Sequence, residues 1–333
     1  MRVLRSRLLA VCGVSCGLAL VFATFAASPL LAQDYPSKPV KIIVPYPPAG
    51  TTDILARLVA ARLTESLKSQ FIVENKAGAG GNIGNEAVAR SAPDGYTLVM
   101  STAGNMTVNP ATYASMPVDV IKDFAPITMV AQVSNVMAVH PSVPAKTVPE
   151  FIAWVKSKPK QVFFASSSPA NTPHMSGELF NIAAGLDMTA VHYKGSGPAL
   201  QDLVAGQGVQ VMFDNMPSVI AHIQSGALRG LAVTASRRSP TMPDLPTVDE
   251  AGLKGYAVVS WFALFAPAKT PKAVIEKLYM EIVATMSRPD MAKKLVELGA
   301  EAVLNTPDEL GRRVASEIEM WRDVAKKANI RIE

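Results

Sequence analysis

Apolar and polar positions follow three different rhythms along this chain. From Leu8 to Phe25 the sequence is apolar without a charge, with Arg2, Arg5 and Arg7 before it and the small residues Ala26, Ala27 and Ser28 after it. A basic start, an apolar centre and a small-residue end predict a secretory signal peptide, cleaved after Ala32 in Leu30-Leu31-Ala32-Gln33. The alternative is an uncleaved membrane anchor, since the run approaches the ~20 residues that span a bilayer, but the small residues favour removal.

Beyond the leader, short β-rich runs alternate with helical spacing. Val40–Val44 stops at Pro45-Tyr46-Pro47-Pro48-Ala49-Gly50, and Thr51, Thr52 and Asp53 then offer helix caps ahead of Ile54, Leu55, Leu58, Val59, Leu63 and Leu67. A strand at 71–74, a glycine-rich loop, a helix at 85–91 and a strand at 96–101 repeat the alternation, which predicts a parallel α/β sheet. Two apolar stretches around Ile127–Val139 lead into a second set. Thr147 and Glu150 form a capping box there. Strands are expected at 162–165, 190–193, 209–213 and 229–234, and helices at 174–184, 198–205 and 219–224.

The last rhythm closes the chain with a strand at 258–265 and two long helices, opened by Thr270-Pro271 and Thr306-Pro307. Glu309 supplies the far half of a capping box in the second. Ile275, Leu278, Ile282 and Met286 form one apolar face, and Leu310, Val314, Ile318 and Trp321 another, both expected to return to the first set. Two α/β lobes joined by extended crossings near Val130–Val139 and Val258–Phe265 would enclose a cleft that a hinge can close.

Composition narrows the function classes. The net charge of +5, from 32 Lys and Arg against 27 Asp and Glu, falls to +2 once the three leader arginines are removed. No basic stripe with interleaved aromatics survives, which argues against nucleic acid. Both cysteines, Cys12 and Cys16, lie in the leader, neither in a lipid-attachment context, so the mature chain is expected to be soluble and free of disulfides. Its length suits two lobes, because single cores stop growing near ~250–300 residues. The most apolar later segment, 256–268, is too short to span a membrane and reads as a buried strand.

The loop after Val44 is the most informative candidate site. A strand that turns through Pro-Pro-Ala-Gly into a helix presents unpaired N–H groups at the positive end of the helix dipole, where a carboxylate is a natural guest. An ordinary strand-to-helix turn remains the alternative. In Gly78-Ala79-Gly80-Gly81-Asn82-Ile83-Gly84 the third glycine of a dinucleotide loop would fall on Ile83, so a tight turn permitting close backbone packing is the better reading. Ser166, Ser167 and Ser168 with His174 and His192 raise a hydrolase, yet the Gly-x-Ser-x-Gly elbow and metalloprotease histidine spacing are missing. Lys194 is either an anion partner or a solvated charge, and Trp261 and Phe262 either line a pocket or fill the core.

Several motifs occur together and in order. They are Tyr35-Pro36-Ser37-Lys38-Pro39-Val40 through Pro45–Asp53, Val73-Glu74-Asn75-Lys76-Ala77-Gly78-Ala79-Gly80-Gly81, Pro93-Asp94-Gly95-Tyr96-Thr97-Leu98, HMSGELF at 174–180, Tyr193-Lys194-Gly195, Leu231-Ala232-Val233-Thr234, Leu245-Pro246-Thr247 and Ala266-Pro267-Ala268. Over essentially the whole mature chain this resembles the Bug family, the periplasmic receptors of tripartite tricarboxylate transporters. The resemblance implies an α/β, two-lobed type II periplasmic-binding-protein fold with two crossover strands and an interlobe cleft. It places the signal peptide at 1–32, the first lobe at 33–134 and 256–333, and the second at 135–255.

The resemblance also implies the site. Contacts to a small carboxylate would come from Tyr46, Ala49, Gly50, Thr51, Thr52 and Asp53 in the first loop, and from Ser101, Thr102 and Asn105 after the third strand. Ser166, Ser167, Ser168, Asn171, His174, Tyr193, Lys194, Gly195 and Asp214 would face them, with Asn215 near the cleft. The family usually has Gly-Gly where this chain has Ala49-Gly50, and alanine does not freely take a left-handed backbone. The expectation is a monomeric periplasmic receptor without catalysis, metal or cofactor, delivering its carboxylate to transporter membrane subunits. An exported hydrolase and a receptor for a membrane sensor are the alternatives.

Overall fold

The computed structural model describes residues 35–327 and 330–332. The leader, its cleavage near Ala32 and both cysteines lie outside the described residues.

Strand β1 (Val40–Val44) is buried at every position but Lys41, and pairs in parallel with β2 (Phe71–Asn75) and β3 (Thr97–Thr102). Helix α1 (Thr51–Leu67) buries Leu55, Val59 and Leu63 of the expected stripe together with Ala56 and Ala60, and leaves Ile54, Leu58 and Leu67 half-buried. Helix α2 (Asn82–Ala89) starts three residues earlier than its apolar pattern predicts, because a 3-10 turn at Ala79–Gly81 runs straight into it. The glycine loop does pack closely. The Gly80 carbonyl accepts from the side-chain amides of Asn105 and Asn109, and a Cβ on Gly81 would collide with Asn105. A π-turn (Gly104–Val108) and the short helix α3 (Asn109–Thr112) follow β3.

The two apolar stretches around Ile127–Val139 are one strand, β4 (Phe124–Val139). Its residues Phe124 to Ser134 pair antiparallel with β9 (Val259–Pro267), which also pairs antiparallel with β3. From Asn135 to Val139 it pairs antiparallel with β7 (Val211–Asn215), and Val136 to Val139 also pair with β8 (Arg229–Val233). The strand thus passes from one half of the sheet to the other. Because β4 leaves the first half and β9 returns to it, the two run in opposite directions side by side, and the sheet is mixed rather than parallel throughout.

In the second half β5 (Phe163–Ser166) lies parallel to β7 and to β6 (Thr189–His192). Four helices flank these strands: α4 (Val148–Lys156), α5 (Thr172–Ala184), α6 (Ser196–Val204) and α7 (Met216–Gln224). Phe151, Phe164, Phe180 and Phe213 fill one face of this half, and Leu203, Met212 and Val219 the other. At the start of α4 Thr147 Oγ1 accepts from the Glu150 amide, while the Glu150 carboxylate takes the amide of Lys146 rather than of Thr147.

Three helices rather than two close the chain: α8 (Lys272–Met286), α9 (Pro289–Glu297) and α10 (Pro307–Lys327). Between the last two, β10 (Ala300–Ala302) adds to β4. The capping box of Thr306 and Glu309 forms in both directions, at 2.9 and 3.3 Å. Thr270 makes none, because Pro271 takes the cap position and leaves the threonine one residue too early, its hydroxyl buried without a partner. Leu310, Val314 and Ile318 pack with Ile43, Val99 and Trp261, which returns α10 to the first half and makes Trp261 core. Among the described residues no helix is long and apolar enough to cross a membrane.

Candidate ligand site

Helices α1, α5, α6 and α7 follow the carboxyl ends of β1, β5, β6 and β7, and all four begin at one pocket. Gly50, Thr51 and Thr52 line it from the start of α1, and Asn171, Thr172 and Pro173 from the start of α5. Gly195 and Ser196 contribute from α6 and Asn215 from α7, with Tyr46, Pro47, Thr102, Ser167 and Phe262 completing the wall. The space is about 430 Å3 including its open mouth.

Each helix start carries N–H groups without an intrahelical acceptor and roughly half a positive charge. No N-cap side chain bonds an amide of α1, α6 or α7, although Ser218 Oγ accepts from the Thr51 amide at the start of α1. The expected caps at Thr51 to Asp53 therefore do not form: Gly50 takes the cap position and Thr51 is already helical. Tyr46 is the one lining side chain that could ionise. Burial pushes its phenol up to about 12, against hydrogen bonds from Thr102 and Asn105, so it stays neutral. The pocket wall therefore presents neutral polar groups without an ionised side chain.

Asp53 stands behind this wall and shapes the loop. Its Oδ2 accepts from the Ala49 amide at 3.2 Å and from Arg57 Nε at 3.0 Å, and its Oδ1 accepts from Asn75 Nδ2. Burial pushes the Asp53 carboxyl up, but Arg57, Asn75 and the Ala49 amide together hold it below the ordinary value. Ala49 adopts φ +68°, so the left-handed backbone forms here although the residue is alanine. On the opposite side Gly195, at φ +123°, meets the Pro47 ring, and a Cβ there would be 3.1 Å from it. Glycine lets the two loops approach.

The remaining expected residues divide into two groups. Ser168, His192, Tyr193 and Lys194 line an adjoining chamber of about 1070 Å3 including open solvent, which shares Tyr46, Pro47, Ser167 and Gly195 with the pocket. Tyr193 donates to Asp202 at 2.7 Å, and burial with that neighbouring carboxylate pushes its phenol up to about 12. Ser101, Asn105, Ser166, His174 and Asp214 are buried behind the walls. Ser101 Oγ donates to Asn85, Asn105 Nδ2 to Gly80, and Ser166 Oγ to the Ser168 carbonyl.

His174 Nδ1 accepts from the Ala170 amide, and its ring lies 4.8 Å from that of His192. Burial, then the His174 charge, lowers the His192 imidazole. With Ser167 Oγ accepting from Asn171, each serine of the cluster is engaged away from both histidines. Thr172, Pro173 and Ser196 went unpredicted, and Phe262 proves to be a wall residue.

Residues 55–330 match the family described as Tripartite tricarboxylate transporter family receptor. The chain belongs to this family. Protein BugT of Bordetella pertussis (strain Tohama I) is 36% identical to this receptor over 329 residues, 98% of this chain and 99% of its own. Among solved structures, R. palustris Rpa4515 with adipate has a TM-score of 0.88 at 38% identity, covering 90% of this chain and 99% of that one. MatC from Rhodopseudomonas palustris with bound malate has 0.82 at 32%, covering 87% and 99%. The receptor therefore has the α/β periplasmic-binding-protein fold, and its family is one of periplasmic solute-binding receptors rather than enzymes.

Proposed function

We propose that this receptor captures a small mono- or dicarboxylate where α1, α5, α6 and α7 begin, and hands it to the membrane subunits of a tripartite tricarboxylate transporter. The convergence of four helix starts on a pocket without an ionised wall residue carries the reading, because such a site stabilises an anion without a fixed countercharge. The adipate and malate held by two relatives support it.

In this reading Gly50, Thr51, Thr52, Thr102, Ser167, Asn171 and Gly195 touch the solute, and Ser168, Tyr193 and Lys194 meet its outer part. Asp53, Ser101, Asn105, Ser166 and His174 hold those loops in place. The chain works as a periplasmic monomer after its signal peptide is cleaved near Ala32, with lobes at 33–134 plus 256–333 and at 135–255 closing over the ligand.

A thermal-shift screen of aliphatic, aromatic and amino-acid carboxylates tests the ligand class. A ligand at 100 times its Kd stabilises by about 2.7 kcal/mol, which moves the melting midpoint by several degrees. No shift with any of them overturns the carboxylate reading. Turnover of a carboxylate derivative that disappears in Ser167→Ala would replace the receptor by the hydrolase.

A further inference from the structure

Asp214 is wholly buried at the end of β7, directly behind the pocket wall. Its Oδ1 lies 3.1 Å from Ser196 Oγ, and Ser196 lines the pocket. Among the described residues its Oδ2 has no hydrogen-bond partner. An ionised carboxylate with one oxygen unpartnered by protein in a fully buried position is costly, whereas a neutral acid leaves only a carbonyl lone pair idle. The geometry therefore suits a proton on Oδ1, donated to Ser196 Oγ.

That proton decides what Ser196 shows the ligand. With Asp214 ionised, the serine hydroxyl donates to Oδ1 and turns its lone pairs to the pocket. With Asp214 protonated, Ser196 Oγ accepts from the acid and its own hydrogen is free to donate to an anion. We propose that Asp214 sets the polarity of Ser196, so that capture of a carboxylate in the pocket takes up one proton from solvent onto Asp214. The inference rests on reading the pocket as a carboxylate site.

The surroundings supply no countercharge that would keep Asp214 ionised. The facing segments of β4 and β5 carry no titratable residue, while α5 carries His174 and Glu178, α6 carries Asp202, α7 carries His222 and β8 carries Arg229. His174 and Glu178 lie 3.4 Å from each other, Asp202 accepts from Tyr193, and Arg229 donates to the carbonyls of Val143 and Ala145. Across the pocket, Asp53 and Arg57 of α1 form their own pair. Burial pushes the Asp214 carboxyl up to about 7, opposed only by the Asn215 amide and the Ser196 hydroxyl.

Calorimetric titration of the mature chain with adipate and malate, from pH 6.5 to 9 in buffers of different ionisation heat, tests this. Expected is little proton uptake at the acid end, approaching one proton per ligand above pH 8, with affinity falling by up to about tenfold per pH unit there. Asp214→Asn should bind with no proton uptake and a flat pH profile. In Ser196→Ala, affinity at pH 6.5 should fall to the wild-type level at high pH and lose its slope, while Asp214 still titrates in carboxyl carbon NMR spectra. Binding by the wild type without a pH slope, or a slope that survives both substitutions, overturns the inference alone. Failure of both probes and of every other carboxylate in the thermal-shift screen overturns it together with the carboxylate reading.

Discussion

Thr51 and Ser218 join α1 to α7 beside the pocket: the Thr51 amide donates to Ser218 Oγ at 3.1 Å, and the two hydroxyls share a second bond at 2.7 Å. One side chain of α7 thereby satisfies the first amide of α1, 167 residues away in sequence. If the cleft opens to release its solute, these bonds break. Ser218→Ala removes both, and at about 1 kcal/mol each this should speed ligand dissociation roughly 5- to 30-fold, read by stopped-flow fluorescence. A dissociation rate unchanged within twofold would show that the pair takes no part in closure.

Ala49 offers a test of backbone strain. It sits at φ +68°, where the Cβ of an L-residue crowds the carbonyl by about 1–2 kcal/mol, and its amide is tied to Asp53. Ala49→Gly relieves the crowding but loosens the unfolded chain, an offset of about 0.4–1 kcal/mol. The net expectation is a gain of a few tenths to about 1 kcal/mol in urea unfolding, and a loss of stability would mean that the strain is absent.

Asn135 fastens the crossing strand where β4 changes partners. Its Nδ2 donates to Ser176 Oγ at 2.8 Å, its Oδ1 accepts from Ser260 Oγ, and its amide donates to Thr234 Oγ1 at 2.9 Å, all buried. Asn135→Ala removes both side-chain bonds, while Ser176 Oγ still donates to the Thr172 carbonyl and Ser260 Oγ still bonds Thr172 Oγ1. At about 0.5–1.5 kcal/mol for each lost bond, a loss of roughly 1–3 kcal/mol is expected from denaturant midpoints at constant m-value. A loss below about 0.5 kcal/mol would mean that Asn135 does not fasten the crossing strand.

The local parts of this architecture were legible in the sequence. The strand, proline-glycine loop and helix from Val40 to Leu67 follow from spacing alone, because each signal lies within a few residues of what it determines. Helix α9 and strand β10 escaped, the latter because Ala300, Glu301 and Ala302 are too few to set a period, lack β-branched or aromatic residues, and pair only through the distant β4. Of the site, the loops were found but not always the atoms. Thr172 and Ser196 reach the pocket beside Asn215 only because the sheet order gathers separate helix starts. Conversely, Ser101, Asn105, Ser166 and His174 lie at strand ends or helix starts near the pocket yet turn into bonds with Asn85, Gly80, Ser168 and Ala170, which no linear motif records.

The buried carboxyl of Asp214 should also leave a mark on folding stability. Its value rises from an ordinary 3.8 to about 7 in the folded protein, so the folded state binds more protons between those values. The stability this gives is fully present below pH 4 and is lost as pH rises through 7. Over about three pH units at 1.36 kcal/mol each, the loss is on the order of 4 kcal/mol. Asp53, Asp119, Asp249, Glu250 and Glu309 have lowered values and act in the opposite direction, losing their contribution as pH falls through the folded value. Comparison with Asp214→Asn cancels them, since both proteins keep those groups. The stability of Asp214→Asn minus that of the wild type should therefore grow by about 4 kcal/mol between pH 4 and pH 8, read from urea unfolding at matched ionic strength. A difference independent of pH would place the Asp214 carboxyl in the ordinary range and remove the basis for its coupling to Ser196.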